Sequence, residues 1–211
     1  MSLKASSGGY MTGYQDFVKI FGSGIFIKSN EIKKNYSLQK ALSSLYIIPT
    51  FFRGIHYIPT SRERKGHFIE NKQDFFTHLF NFHYGKKKWY WGLSTAARYY
   101  GIEWSSTRIL EIVALEKSKT INVSDKILSL QKKKSYRSAT LSRYLSSLDV
   151  NLIYIHKGNQ ESLLSIKIDE TIGPVCTKEQ ILKDIEKFTS KIRNRSLKKI
   201  YKRIATHLEK S

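Results

Sequence analysis

The residues between Ser29 and Arg62 could do one kind of chemistry well, which is holding a polyanion. Lys33, Lys34, Lys40, Arg53 and Arg62 supply positive charge, and Asn35, Ser37, Gln39, Ser43, Ser44 and His56 supply short hydrogen-bonding groups. Lysine and arginine neutralise phosphates, while amide and hydroxyl side chains reach phosphate oxygens or base edges. These are the candidate contacts to double-stranded DNA. Catalytic spacings are scarce by comparison. The histidines are His56, His67, His78, His83, His156 and His207; the nearest pair, His78 and His83, does not share a helix face well. No HExxH, CxxC or paired Cys/His spacing occurs, so neither a metal nor a cofactor is expected. There is no GxxxxGK[ST] or GxGxxG loop, and Ser94 lacks the flanking glycines of a nucleophile elbow. Asp169 and Glu170 beside Lys167 are a faint nuclease-like pair, and Mg²⁺ would need a further carboxylate such as Glu111 on a neighbouring strand. The expectation is a binding protein and not an enzyme, with a nuclease-like enzyme as the alternative.

Those contact residues need elements to hold them. Ser29 or Asn30 suits the start of a helix carrying Glu31, Ile32, Lys33 and Lys34. Asn35-Tyr36-Ser37 reads as a tight turn, with Ser37 capping the second helix. Leu38, Ala41, Leu42 and Leu45 recur at i, i+3, i+4 and i+7, a buried stripe that turns Gln39, Lys40, Ser43 and Ser44 outward. Pro49, with no N–H, ends the helical region. From Thr50 to Pro59, aromatic and β-branched residues flank Gly54, which predicts a hairpin with Arg53 at its tip. Helix, turn, helix and hairpin in that order read as a winged helix-turn-helix, a DNA-reading unit. The plainer reading is a small helical unit whose hairpin serves packing.

The whole chain agrees with a polyanionic partner. Its 211 residues carry a net charge of +20, with pI near 9.9. Such a balance points to DNA, RNA or an anionic membrane surface, or to a proteome that is basic throughout. The length suits one large domain or two small ones. A lone cysteine, Cys176, has no internal disulfide partner, which fits a reducing cytoplasm. No apolar run approaches the roughly 18–20 residues that span a bilayer, so no membrane partner is expected. The amino end shows no signal-peptide core, and Met1-Ser2-Leu3 with Ser6-Ser7-Gly8-Gly9 reads as a flexible tail outside the fold.

The predicted fold class is α+β: a winged helix-turn-helix over 10–62, then a mixed domain over 67–211 with a small sheet and carboxyl-terminal helices. Tyr10–Phe21 reads as the first helix, stopped by Gly22-Ser23-Gly24, and Ile25-Phe26-Ile27 as a short strand. Arg62–Gly66 is a charged break and the best linker. Asn71–Tyr84 is helical, closed by Gly85 and three lysines. Trp89-Tyr90-Trp91 leads into a short helix that stops at Gly101. Ile109–Leu115, Thr120–Val123 and Lys126–Leu130 read as strands, interrupted by Lys132-Lys133-Lys134 and Arg137; Leu141–Leu148 fits a short helix or part of a strand. Val150–Ile155 and Leu163–Ile168 read as strands joined through Gly158-Asn159. A capping box, Thr177 with Gln180, opens a helix bearing Ile181, Ile185, Phe188 and Ile192. Leu197, Ile200, Ile204 and Leu208 stripe the last helix, whose other face carries Lys198, Lys199, Lys202 and Arg203.

Three stretches together resemble the AbiEi family of type IV toxin–antitoxin antitoxins. The hairpin Phe52-Arg53-Gly54-Ile55-His56-Tyr57-Ile58-Pro59 resembles that family's arginine-glycine wing. Trp91–Ile102, with Ser94, Ala96, Ala97 and Gly101, is similar to the serine-alanine helix that opens its second domain. Gly173–Asp184 resembles the segment leading into its late helix. The aromatic and lysine load around Trp89 and the lysine-rich insertion near Lys132 depart from the pattern. The resemblance implies a repressor of its own operon, whose amino-terminal domain binds DNA. Its carboxyl-terminal domain would counter a nucleotidyltransferase-like toxin.

Overall fold

A computed structural model describes residues 13–105, 108–132 and 136–210. The tail before Gly13, the expected start of the first helix at Tyr10, and Lys133-Lys134 of the lysine run lie outside the described residues. The first stretch runs α1 (Tyr14–Phe21), β1 (Ile25–Lys28), α2 (Ser29–Lys34), α3 (Tyr36–Ser43), β2 (Ile48–Pro49), β3 (Ile55–Ile58) and α4 (Ser61–Gly66). Next come α5 (Lys72–Tyr84), β4 (Trp89–Trp91), α6 (Leu93–Tyr99), β5 (Ile109–Ala114), β6 (Lys119–Asn122), α7 (Val123–Gln131) and α8 (Tyr136–Ser147). The chain closes with β7 (Leu152–Lys157), α9 (Gln160–Leu164), β8 (Ile166–Asp169), β9 (Gly173–Cys176), α10 (Lys178–Thr189) and α11 (Arg195–Glu209). Helices and two small sheets make the fold α+β. No helix among the described residues is long and apolar enough to cross a membrane.

Two compact units divide the chain: Met1–His78 with Lys126–Leu148, and Leu79–Asp125 with Asp149–Ser211. This differs from the expected split at 62–67, because a later segment returns to the first unit. The Ile69 N–H donates to Ser147 Oγ at 2.8 Å, and the His67 ring meets Tyr144 edge-on at 5.8 Å.

In the first unit, a three-stranded antiparallel sheet has the order β1-β3-β2, with Ile25 opposite Ile58 and Ile48 opposite Tyr57. Phe17, Ile27, Ile32, Leu38, Ala41, Ile47 and Ile58 form its core. Each large aliphatic buried there contributes about 1.5–3 kcal/mol of transfer free energy. Three expectations shift by a few residues. Asn35, not Ser37, caps α3, its side chain accepting from the Leu38 N–H at 3.2 Å. The helix stops at Ser43 because Leu45 turns left-handed at φ 56, well before Pro49. Pro49 lies on the edge strand β2, where a missing N–H costs little. The expected linker is a helix, α4, opened by a reciprocal capping box between Thr60 and Glu63. Its Glu63 is buried and accepts from Tyr57 OH (2.8 Å), Thr60 N–H (2.8 Å) and Glu70 N–H (3.0 Å).

The second unit is built on a mixed six-stranded sheet, ordered β6-β7-β5-β4-β9-β8. Trp89, Tyr90 and Trp91, expected as a lead-in, form the buried strand β4 between β5 and β9. Lys126–Leu130, expected as a strand, lies in α7, where Asn122 Oδ1 accepts the Asp125 N–H (3.0 Å) in the manner of a cap. The expected hairpin through Gly158-Asn159 does not form. Asn159 instead caps α9 in a box with Ser162, β7 pairs with β5 and β6, and β8 pairs with β9. Thr177 caps α10, but the Gln180 side chain donates to Asp184 rather than back to the cap.

Candidate nucleic-acid interface

The helix pair α2–α3 carries most of the expected contacts. Lys33 and Lys34 end α2 and are exposed, as are Gln39, Lys40 and Ser43 on α3. Leu38 and Ala41 hold the opposite face of α3 in the core. Several polar groups are partly committed. Asn35 is spent as the cap. The Gln39 side-chain amide donates to the Lys33 carbonyl at 2.9 Å, which ties α3 to the end of α2 and leaves its oxygen as the group able to accept from a base. Ser43 Oγ donates to the Lys40 carbonyl at 2.8 Å and keeps its acceptor capacity. Ser37 is half-buried, and Ser44 is exposed just past the helix.

The hairpin is short and held down. Phe51 and Phe52 in its loop are buried, and Phe51 stacks on Phe76 of α5 at 5.9 Å. Lys126 Nζ donates to the Thr50 carbonyl. Only Arg53 of the loop is exposed, while Gly54 takes φ 82 and its carbonyl accepts the Ser29 N–H at 2.8 Å, fixing the loop to the start of α2. His56 does not join this outward set. It is half-buried, and burial first, then Lys126, pushes its pKa below the usual histidine value, so it is neutral at pH 7. Arg62 is exposed but engaged, meeting Glu70 at 2.5 Å. The structure therefore offers Lys33, Lys34, Lys40 and Arg53 as open cations.

Sequence reasoning passed over two nearby side chains. Tyr36, at the first turn of α3, is 80% exposed, which is uncommon for so large a ring. Arg64 of α4 packs against both Tyr14 (4.8 Å) and Tyr46 (4.7 Å), whose rings meet edge-to-face. A charge run that looks like a linker hides such a residue, and only the Thr60-x-x-Glu63 spacing signals its helix.

The second unit holds a tight polar cluster. Glu111 on β5 is fully buried and takes bonds from Ser94 N–H (3.1 Å), Ser94 Oγ (2.5 Å), His156 Nε2 (3.1 Å) and Tyr201 OH. Glu111 stands between Ser94 and His156, and the arrangement ties α6, β7 and α11 to β5. Buried Asp184 accepts from Tyr90 OH (2.9 Å) and Gln180 Nε2 (2.8 Å). Burial pushes its pKa up to about 6, against the lowering effect of those two bonds. Asp169 is held below the usual carboxylate range by Tyr99 OH and the N–H groups of Ile172 and Thr171. It sits on β8, three strand steps from β5, or about 14 Å across the sheet. Glu111 and Asp169 therefore do not meet the spacing that a shared Mg²⁺ requires. Among the described residues, no group of three His, Cys, Asp or Glu side chains could hold a metal.

Against known protein families, curated proteins and solved structures, the chain matches none.

Proposed function

We propose that this chain is a sequence-specific DNA-binding transcriptional regulator whose first unit is a winged helix-turn-helix. The observation that carries the reading is an element order combined with a charge pattern. Helix, strand, two helices and a two-stranded hairpin surround one three-stranded sheet, and the open cations fall on the helix pair and the hairpin loop. Between Ile25 and Ser61 there are five cations, Lys28, Lys33, Lys34, Lys40 and Arg53, against the single carboxylate Glu31. A helix with a polar outer face entering the major groove, with a basic loop on the backbone, is the docking this supports. The resemblance to AbiEi antitoxins extends the proposal to a cytoplasmic repressor of its own operon, paired with a nucleotidyltransferase-like toxin.

A mobility-shift assay with the DNA upstream of its gene tests the reading. Lys40→Ala combined with Arg53→Ala should remove most duplex binding while leaving the circular dichroism spectrum unchanged. Equal binding by parent and double variant would refute the site. A co-transcribed nucleotidyltransferase gene is the matching test of the antitoxin role.

A further inference from the structure

A cavity of about 340 Å³ opens in the first unit, immediately behind the end of α3. Arg64, Lys65, His67, Ser44, Thr140 and Tyr144 line it, and no carboxylate does. Cationic and hydroxyl groups thus converge there; Glu63, whose charge reaches Tyr144, lies outside the lining and is bound to Tyr57, Thr60 and Glu70. Arg64 rests against the edge-to-face pair of Tyr14 and Tyr46, 4.8 and 4.7 Å from their ring centres, and no ion pair engages it among the described residues. Tyr144 is 1% exposed, and its hydroxyl is buried without any hydrogen-bond partner. Buried hydroxyls in folded proteins are nearly always paired, so an orphan at a cavity marks a missing acceptor. Burial, then Tyr14, raises its pKa, so it stays a donor.

We propose that this cavity is a binding site for a phosphate group carried by a small ligand. A guanidinium, an ammonium and hydroxyl donors suit three terminal oxygens better than the two of a carboxylate. The volume falls within the range of small-molecule sites. Ser44 and left-handed Leu45 both line the cavity and directly follow α3. A phosphate held there fixes the end of that helix. Any effect on duplex binding rests on the DNA-binding reading; the ligand site itself does not. Only a phosphate monoester presents three terminal oxygens, a DNA phosphodiester having two, so the source is a free phosphorylated metabolite.

Titration calorimetry on the full chain with inorganic phosphate and with phenyl phosphate, at constant ionic strength, tests the site. Saturable binding is expected, weakened about tenfold or more by Tyr144→Phe, since a bond to a charged acceptor is lost. Tyr144→Phe removes only an unpaired hydroxyl, so its melting temperature without ligand should match or exceed the parent's. Arg64→Gln should weaken binding further. No saturation up to roughly 10 mM, where even weak sites fill, or a Tyr144→Phe titration identical to the parent's, overturns the proposal. Displacement of phosphate by duplex would assign the site to the DNA backbone and overturn the proposal, whereas joint binding of both upholds it. Phosphate uptake by a chain that binds no duplex keeps the site and removes only the DNA-binding reading.

Discussion

The salt dependence of duplex binding can be worked out before it is measured. Four cations on the proposed face, Lys33, Lys34, Lys40 and Arg53, are exposed and make no ion pair among the described residues. Each phosphate they neutralise releases condensed counterions and adds about 0.9 to the slope of log affinity against log salt. Four contacts give a slope of about −3.6, so raising salt from 50 to 200 mM should weaken binding roughly 150-fold. Removing one of them leaves a slope near −2.7 and a loss of roughly 40-fold over the same range. Arg62 provides the internal contrast, because it already meets Glu70 at 2.5 Å. Arg62→Ala should therefore leave the slope almost unchanged, whereas Lys40→Ala and Arg53→Ala each flatten it. Fluorescence anisotropy with a labelled duplex, titrated at several salt concentrations, reads these slopes. A parent slope shallower than about −1, or equal flattening by Arg62→Ala and Lys40→Ala, would refute the assignment.

Three predictions concern the scaffold. Asp184 has a folded pKa of about 6 against an ordinary 3.8, raised chiefly by burial, so the folded state holds its proton more tightly. Its contribution is greatest below about pH 4 and is lost as pH rises through about 6, a swing of about 3 kcal/mol. Urea midpoints should show this loss in the parent and not in Asp184→Asn; parallel curves for the two would rule it out. Tyr201→Phe removes one bond to buried Glu111 and should cost about 2 kcal/mol, while Glu111→Ala orphans all its donors and should cost about 3–5 kcal/mol. Denaturant unfolding checks both, and a Tyr201→Phe loss as large as that of Glu111→Ala would refute this ranking. Gly54→Ala should destabilise by about 1 kcal/mol through its φ of 82 alone, since the nearest atom to the added Cβ is Ser29 Oγ at 3.9 Å. A melting temperature equal to the parent's would show that the loop relaxes.

Much of the first unit was legible because its signals are local. The Leu38–Ala41 stripe, the Ile25–Ile27 strand and the turn at Gly54 each depend on a few adjacent residues. The elements that escaped depend on distant partners. The Lys126–Leu130 segment has an apolar pattern compatible with strand or helix, and only the Asn122 cap at its start distinguishes the two. The link between Val150–Ile155 and Leu163–Ile168 looked like a hairpin because Asn after Gly suits both a turn and a helix cap. The strand Gly173–Cys176 contains a proline and was invisible as a partner for β8. Glu63 gives no local sign of its burial, since it sits in the charged run Arg62–Lys65. The open cations of the candidate site were legible individually; that Arg62 and His56 differ from them was not, since Glu70 sets Arg62 apart and burial, then Lys126, sets His56 apart.

The way the chain spends its carboxylates bears on its partner. It has 17 acidic residues against 37 lysines and arginines. Glu63, Glu111 and Asp184 are buried and bound to internal donors, so they do little to balance the surface. Exposed acids such as Glu70 and Asp149 are taken by Arg62 and Arg108. The remaining cations repel one another, and that repulsion opposes the compact state. Added salt relieves it in the free protein by screening, with a Debye length of about 10 Å at 0.1 M. In a complex with a polyanion, the same salt removes the attraction that offsets the repulsion. The melting temperature of the free chain should therefore rise with sodium chloride, while the excess stabilisation conferred by duplex DNA falls. If both moved in the same direction, the charge would be serving the free protein and not a polyanionic partner.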